Sequence, residues 1–382
     1  SILYVKFEYS NLEAFYILTK IDMRLPKAKI IKAQMYQPGL SKFAKKPAKI
    51  KLSANESALG PSPKAVREYN KISKNFKRYP DSEGLLLRNT LAKKFKLNSA
   101  QIILGSGSDQ ILEIVCKAFL KRGDEVIVPK YSFIVYRIYS KINGAKVIFA
   151  KEKNFFISVK DILTKVSKKT KIVFLANPNN PTGTYINDKD LIFLRKKLRS
   201  DILLVVDDAY FEYVKKNNYR SGLNLFFKSK NVIVTRTFSK IYGLAGLRVG
   251  WAYASKEIIK NLNLIKPPFN VNKPALFAAS ASVKDDKWLK KEIDHNNRWR
   301  NIMFKDFSKM QIETNKGNAN FLLVNFEKVK ISSEKVYNLL AKAGILVRKM
   351  KVYGIKNSLR ITIGTANENK KIISKLGKIL NV

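Results

Sequence analysis

Thr237-Phe-Ser-Lys-Ile-Tyr-Gly-Leu-Ala-Gly-Leu-Arg248 joins two short apolar runs, Val232-Ile-Val-Thr235 and Val249-Gly-Trp-Ala-Tyr253. Runs of that length and make-up read as buried strands, so the turn between them sits at a sheet edge and carries Lys240 with it. Upstream the same alternation repeats. A helix from Leu85 to Phe95 precedes Gln101-Ile-Ile-Leu104, and a helix from Asp109 to Lys121 precedes Glu125-Val-Ile-Val128. A helix after Ser132 leads to Lys146-Val-Ile-Phe149 and Lys171-Ile-Val-Phe-Leu175; a helix from Asp188 to Arg199 then leads to Ile202-Leu-Leu-Val-Val206. Unbroken apolar strands separated by helices argue for an α/β fold, a mostly parallel sheet covered on both faces.

After about Asn272 the pattern changes to long charged helices, then Asn320-Phe-Leu-Leu-Val-Asn-Phe326, a helix near Ser333 to Ala343, Ile345-Leu-Val347, Leu359-Arg-Ile-Thr-Ile363 and a last helix. That spacing suits a smaller α+β domain. Four regions are expected: 1–28, an extension or arm with no readable role; 29–75, a segment that contributes to the small domain and an active-site loop; 76–275, the large cofactor-binding domain; and 276–382, the small domain. The loop from Ile50 is rich in Pro and Gly, and Pro63 suits the first turn of a helix reaching about Asn75.

At 382 residues the chain is long enough for two packed domains. The single cysteine, Cys116, excludes an internal disulfide and lies in an apolar helical stretch where burial is expected, which suits a reducing, cytoplasmic setting. No apolar run reaches the length of a membrane span, and no signal-peptide order is present, so no membrane partner is expected. The formal charge of +45 would attract anionic metabolites. Because the lysines are scattered and not gathered in one tract, no specific nucleic-acid partner is expected. Arginines are few by comparison, and Arg248, Arg348 and Arg360 stand in apolar surroundings, where planar anion recognition is the usual reason to need one.

Four constellations carry chemistry. Lys240 can form a Schiff base, and Thr237, Ser239 and Arg248 supply two hydroxyls and a forked cation for a phosphate monoester beside it: a pyridoxal phosphate anchor. Gly105-Ser-Gly-Ser-Asp-Gln110 opens a helix after a strand, so backbone N–H groups at Ser108 and Asp109 would converge on an anion, with the Asp109 carboxylate turned away. Asn177-Pro-Asn-Asn-Pro-Thr-Gly183 puts Asn180 at the carboxyl edge of the sheet, and its two Asn-Pro steps allow cis bonds. Val205-Val-Asp-Asp-Ala-Tyr210 brings Asp207 to hold a pyridine nitrogen protonated and Tyr210 to meet the ring's phenolic oxygen, with Asp208 a solvated neighbour. An aromatic cover for the ring comes from Pro129-Lys-Tyr-Ser-Phe-Ile-Val-Tyr136, with Phe133 preferred and Tyr131 in reserve. The one histidine, His295, lies in a charged helix, expected to be exposed, and no metal site is expected.

Together these residues resemble the class I and II aminotransferases of pyridoxal phosphate fold type I, and within them the histidinol-phosphate branch. The likeness runs from Leu52-Ser-Ala-Asn-Glu-Ser and Gly60-Pro-Ser-Pro63 through Arg78-Tyr-Pro-Asp81, Gly107-Ser-Asp109 and Asn177–Gly183. It continues in Asp207-Asp-Ala-Tyr210, Thr237-Phe-Ser-Lys240 and Leu359-Arg-Ile-Thr-Ile-Gly-Thr365. The resemblance implies a sheet of the seven-stranded type with Lys240, Asp207 and Tyr210 as catalytic residues. It places Asn180 with Tyr210 at the phenolic oxygen, and Ser108, Asp109, Thr237, Ser239 and Arg248 around the cofactor phosphate. Tyr79 would join them from the partner subunit of a homodimer. Arg360 would grip a substrate carboxylate, Asn55 would line that pocket, and Arg348 would meet a substrate phosphate. Amino transfer between histidinol phosphate and 2-oxoglutarate, a step of histidine biosynthesis with glutamate as the other amine, is the activity implied. Aromatic amino acid transamination and a phosphothreonine-type decarboxylation are the rivals on the same scaffold, and a basic nucleic-acid-binding or ligand-sensing protein on this fold is the alternative of another class.

Overall fold

The computed structural model describes residues 35–44, 46–72 and 74–381; the segment 1–28 lies outside the described residues. Seven strands form the main sheet in the order Ile102–Gly105, Gly250–Tyr253, Val232–Thr237, Leu203–Asp207, Thr170–Ala176, Glu125–Pro129, Lys146–Ala150. Six run parallel, and Gly250–Tyr253 is antiparallel to both of its neighbours. Successive side chains point to opposite faces, and here both faces are covered. Leu104, Ile127, Val173, Leu204 and Val234 pack into one layer. Ile103, Val126, Ile172, Val205 and Ile233 pack into the other. That double burial is why the strands read as unbroken apolar runs and not as alternating ones.

The helices begin where the sequence supplies a cap. Asn187 accepts from Asp190 N ahead of Asp188–Lys197. Asn272 accepts from Ala275 N ahead of Lys273–Val283, with proline in the first turn, and Thr365 with Glu368 forms a capping box on Ala366–Leu380. The first described helix stops at Ile72, short of Asn75.

A second sheet of five strands runs Glu313–Asn315, Phe321–Asn325, Ser358–Thr362, Ile345–Lys349, Ile50–Leu52. Ile50–Leu52, from far earlier in the chain, adds parallel to Ile345–Lys349, and this pairing delivers the loop after it, Ser53 to Gly60, to the site described below. Leu52, Leu322, Leu346 and Ile361 form a core with Trp299, Met303 and Phe307 of the helix Asp286–Lys309. Leu289 and Ile293 of that same helix pack against the main-sheet core, so one helix is shared by both. His295, on this helix, departs from expectation: it is half-buried, with Nε2 2.9 Å from the Gly364 carbonyl oxygen. Cys116 is buried, as expected. Among the described residues, no helix is long and apolar enough to cross a membrane.

Candidate active site

The carboxyl ends of the parallel strands are where a doubly wound sheet leaves room for a ligand. Ser108 and Asp109 follow Ile102–Gly105, Phe133 follows Glu125–Pro129, Asn180 follows Thr170–Ala176, Asp207 ends its own strand, and Ser239 and Lys240 follow Val232–Thr237. All of them line one cavity of about 400 Å³, whose wall is completed by Arg348 and Arg360 of the second sheet and by Asn55 in the loop after Ile50–Leu52. Crevices of about 810 and 940 Å³ lie elsewhere and also carry charged side chains, but neither includes any of these strand-end residues.

The Lys240 amine points into this cavity and donates to the Ala54 carbonyl oxygen at 3.1 Å. Withdrawal from water, then the nearby charge of Arg360, lowers its pKa to about 8, against an opposing pull from Glu56. At the far end Asp207 is buried. Its Oδ2 accepts the Tyr136 hydroxyl at 2.7 Å and its Oδ1 the Thr235 hydroxyl at 3.1 Å. Burial raises the Asp207 pKa, and those two hydrogen bonds hold it down.

A cup forms where Gly107 and Gly250 bring backbones together. A Cβ on Gly107 would collide with the Arg248 guanidinium and the Asp109 carboxylate, and one on Gly250 with the Ser108 backbone nitrogen. Arg248 reaches Ser239 Oγ at 3.3 Å and Asp109 Oδ1 at 2.7 Å, and Thr237 Oγ1 accepts from Ser239 N at 3.0 Å. Two hydroxyls, a guanidinium and a helix N-terminus thus surround one small volume, which is the chemistry a phosphate needs; the Asp109 carboxylate, expected to turn away, is instead paired with that guanidinium.

Asn180 lies between two cis peptide bonds, Asn177–Pro178 and Asn180–Pro181. Its Oδ1 accepts from Arg360 Nη1, while Arg360 Nη2 donates to the Ser53 carbonyl oxygen at 2.9 Å. Arg348 and Arg360 are direct cross-strand partners, and both are buried. Like charges so placed repel, so the pair favours an anion between or beside them. Burial lowers the Arg360 pKa from its usual value. Tyr210 accepts from Asn55 Nδ2 at 2.9 Å.

Of the three aromatic candidates in that stretch, Phe133 and Tyr136 line the cavity and Tyr131 does not; Tyr131 packs against Phe155, with ring centroids 5.6 Å apart. Tyr79 also lies outside the cavity, 80% exposed and stacked on Phe269 at 4.6 Å. Asp208 corrects the expectation of a solvated neighbour. It is buried, accepts from Gly222 N at 3.2 Å and lies 3.8 Å from Arg236 Nη2, whose guanidinium sits 3.6 Å over the Phe211 ring. Burial lifts the Asp208 pKa to about 7. Sequence reasoning assigned no role to Tyr36, Tyr353, Lys51 and Glu56, which complete the cavity wall. Glu56 pairs with Lys51 at 2.8 Å, and Tyr36 sits edge-on to Phe133, with centroids 6.4 Å apart. Among the described residues, no group of three or more His, Cys, Asp or Glu side chains is placed to hold a metal.

Residues 47–376 match the model of the aminotransferase class I and II family. The histidinol-phosphate aminotransferase of Pelagibacter ubique (strain HTCC1062) is 51% identical over 360 residues, covering 94% of this chain and 100% of that protein. The enzyme of the same name from Rhodopseudomonas palustris (strain BisB18) is 39% identical over 358 residues, covering 93% and 98%. Among solved structures, the histidinol-phosphate aminotransferase from Sinorhizobium meliloti in complex with pyridoxal-5'-phosphate shares the fold, with a TM-score of 0.83 at 22% identity over 88% of this chain and 92% of that one. On its sequence and its architecture, the chain belongs to the class I and II aminotransferase family.

Proposed function

We propose that the protein is a pyridoxal phosphate-dependent aminotransferase that moves an amino group between histidinol phosphate and 2-oxoglutarate, a step of histidine biosynthesis. The observation that carries this reading is the placing of Lys240 and Asp207 in one cavity beneath the paired guanidinium groups of Arg348 and Arg360. The residues fit the cofactor: a low-pKa amine for its aldehyde, a buried acid for its ring nitrogen, and a glycine-walled cup for its phosphate. When bound, pyridoxal phosphate supplies an electron-poor ring and a carbonyl carbon able to bond an amine.

The chain's residues do the rest. Lys240 anchors the cofactor; as a free amine it takes the proton from the substrate carbon that bears nitrogen, and its lowered pKa leaves about a tenth of it unprotonated at pH 7, far more than an ordinary lysine. Asp207 holds the proton on the ring nitrogen. Asn180 and Tyr210 hydrogen-bond the phenolic oxygen, and Ser108, Asp109, Thr237, Ser239 and Arg248 hold the phosphate. Phe133 covers one face of the ring, and Tyr36 beside it helps exclude water. Arg360 takes the carboxylate of glutamate or 2-oxoglutarate, with Asn55 beside it, and Arg348 takes the phosphate of histidinol phosphate. The family relatives' names and this doubled anion site favour a phosphorylated substrate over phenylalanine.

We also propose a homodimer. Tyr79 lies outside its own cavity, stacked on the exposed Phe269, and Phe76 and Leu85, close to it in sequence, are exposed as well, so a second copy can bury these side chains and receive Tyr79 at its cofactor phosphate.

The deciding experiment combines hydride trapping with a substrate panel. Pyridoxal phosphate and borohydride should leave an adduct at Lys240, and Lys240→Ala should show neither adduct nor turnover. Histidinol phosphate should be turned over with 2-oxoglutarate far faster than phenylalanine. Preference for phenylalanine overturns the substrate, and absence of the adduct overturns the enzyme. Sedimentation as a monomer at micromolar concentration overturns the dimer.

A further inference from the structure

Asp207 is the group whose charge matters most to the ring, and its carboxylate is already engaged from behind. The Tyr136 hydroxyl donates to Asp207 Oδ2 at 2.7 Å. Tyr136 is fully buried, stacked on Phe174 with centroids 4.9 Å apart and planes 3° apart, and perpendicular to Phe133 at 5.7 Å. Two aromatic contacts thus fix its ring, and the ring fixes the hydroxyl. We propose that Tyr136 is a positioning residue that holds the Asp207 carboxylate toward the cavity as an ionised acceptor while setting the ring plane of Phe133. This rests on the reading of Asp207 as the partner of the pyridine nitrogen.

The arrangement works in one direction only. Burial and the neighbouring Asp207 push the Tyr136 phenol far above its usual pKa, so it stays protonated and can only donate to the acid. A donor to the charged form favours that form, which opposes the rise that burial imposes on Asp207. The other groups facing Asp207 are Thr235 on the adjacent strand, Lys240 across the cavity, Tyr210 beside it and Asp208 behind it. Of these side chains, Thr235 alone duplicates the donor, at 3.1 Å, and the Ala209 backbone N–H adds a third hydrogen bond to the carboxylate.

Tyr136→Phe keeps the ring and removes the hydroxyl. Titrating pyridoxal phosphate into the cofactor-free full chain should show affinity reduced about tenfold at neutral pH, within the range of a hydrogen bond to a charged group. The acid limb of that affinity, and of kcat in the holoenzyme, should move up by about one pH unit, because Asp207 takes a proton sooner. The KM for 2-oxoglutarate should stay within about twofold, since the lost bond does not touch substrate. Thr235→Val should move the acid limb in the same direction by less, and it carries the test should Tyr136→Phe not fold. An unmoved acid limb in the folded variant overturns the proposal. Failure of the wild-type chain to bind pyridoxal phosphate would instead overturn the function proposed above.

Discussion

Asn55 Nδ2 donates to the Tyr210 hydroxyl at 2.9 Å, and that bond joins the loop following Ile50–Leu52 on the smaller sheet to the loop following Leu203–Asp207 on the main one. Asn55 is itself held by Thr362, whose Oγ1 accepts from Asn55 N at 3.0 Å and donates to Asn55 Oδ1 at 3.2 Å. Its backbone is left-handed, with φ 54°, a conformation asparagine tolerates better than most residues. Two substitutions separate these contributions. Asn55→Gly removes the side-chain bonds alone and should cost about 1–3 kcal/mol of stability. Asn55→Ala should cost about 1 kcal/mol more, from the backbone. Urea unfolding of both variants checks the order; alanine being the milder change would show that the left-handed φ carries no penalty at this position.

Lys240 offers a kinetic reading of its own surroundings. With the amine lowered to about 8, the rate at which cofactor-free protein captures pyridoxal phosphate should rise with pH to a midpoint near that value, because only the unprotonated amine attacks. Arg360 is the largest charge lowering that pKa. Removing it in Arg360→Gln should therefore shift the midpoint upward. Stopped-flow absorbance across pH 6–10 measures it, and a downward shift would mean that Arg360 acts on Lys240 through something other than its charge.

The strands of the main sheet and the cavity floor were legible because they depend on local pattern: apolar runs give strands, and Asp207, Asn180 and Lys240 sit at or just past strand ends. Asp208 was misread for a reason the same pattern contains. If Asp207 faces one layer, Asp208 faces the other, and in a sheet covered on both sides that layer is also dry. The signal for its partner was Arg236, the one charge in the Val232–Thr237 strand, all of it buried. Tyr136 stands three residues from Phe133, at the start of one helix, and was weighed only as a ring cover. Its hydrogen bond to Asp207 depends on how that helix packs on the sheet. Tyr36, Tyr353 and Glu56 reach the cavity through long-range placement of loops, which no local periodicity encodes.

The cross-strand pair Arg348 and Arg360 separates the substrates. Arg348→Gln should raise the KM for histidinol phosphate about a hundredfold, the worth of one charge-assisted phosphate contact, and change phenylalanine turnover little. Arg360→Gln should instead raise the KM for 2-oxoglutarate. Each change relieves repulsion between two guanidinium groups, but Arg360→Gln also takes the donor from Asn180 Oδ1 and the Ser53 carbonyl and should destabilise the cofactor-free fold more than Arg348→Gln. Steady-state kinetics on both variants decide this; equal losses for all substrates would assign the arginines to architecture and not to selection.

Glu292 fastens the loop that carries Asn55. From the helix Asp286–Lys309 its carboxylate accepts the Ser57 hydroxyl and, at 3.0 Å, Leu59 N. Trp288 Nε1, one turn earlier, donates to the Gly60 carbonyl oxygen at 3.2 Å. Burial lifts the Glu292 pKa to about 7, outweighing both hydrogen bonds and the charge of Lys291. An unfolded glutamate ionises near about 4.3, so between that pH and about 7 the folded chain binds the extra proton. The stability this group contributes is present in full below the unfolded value and is lost as pH rises through the folded one. Glu292→Gln keeps an oxygen acceptor for Ser57 and Leu59 but cannot ionise. Its stability relative to the wild type should therefore improve from pH 5 to about pH 7 and level off by pH 8, and the loop should stay docked at the higher pH. Urea unfolding of the two proteins at both pH values gives the difference directly. A difference that does not change with pH would mean that Glu292 is already ionised at pH 5, held so by Ser57, Leu59 and Lys291 against the cost of burial.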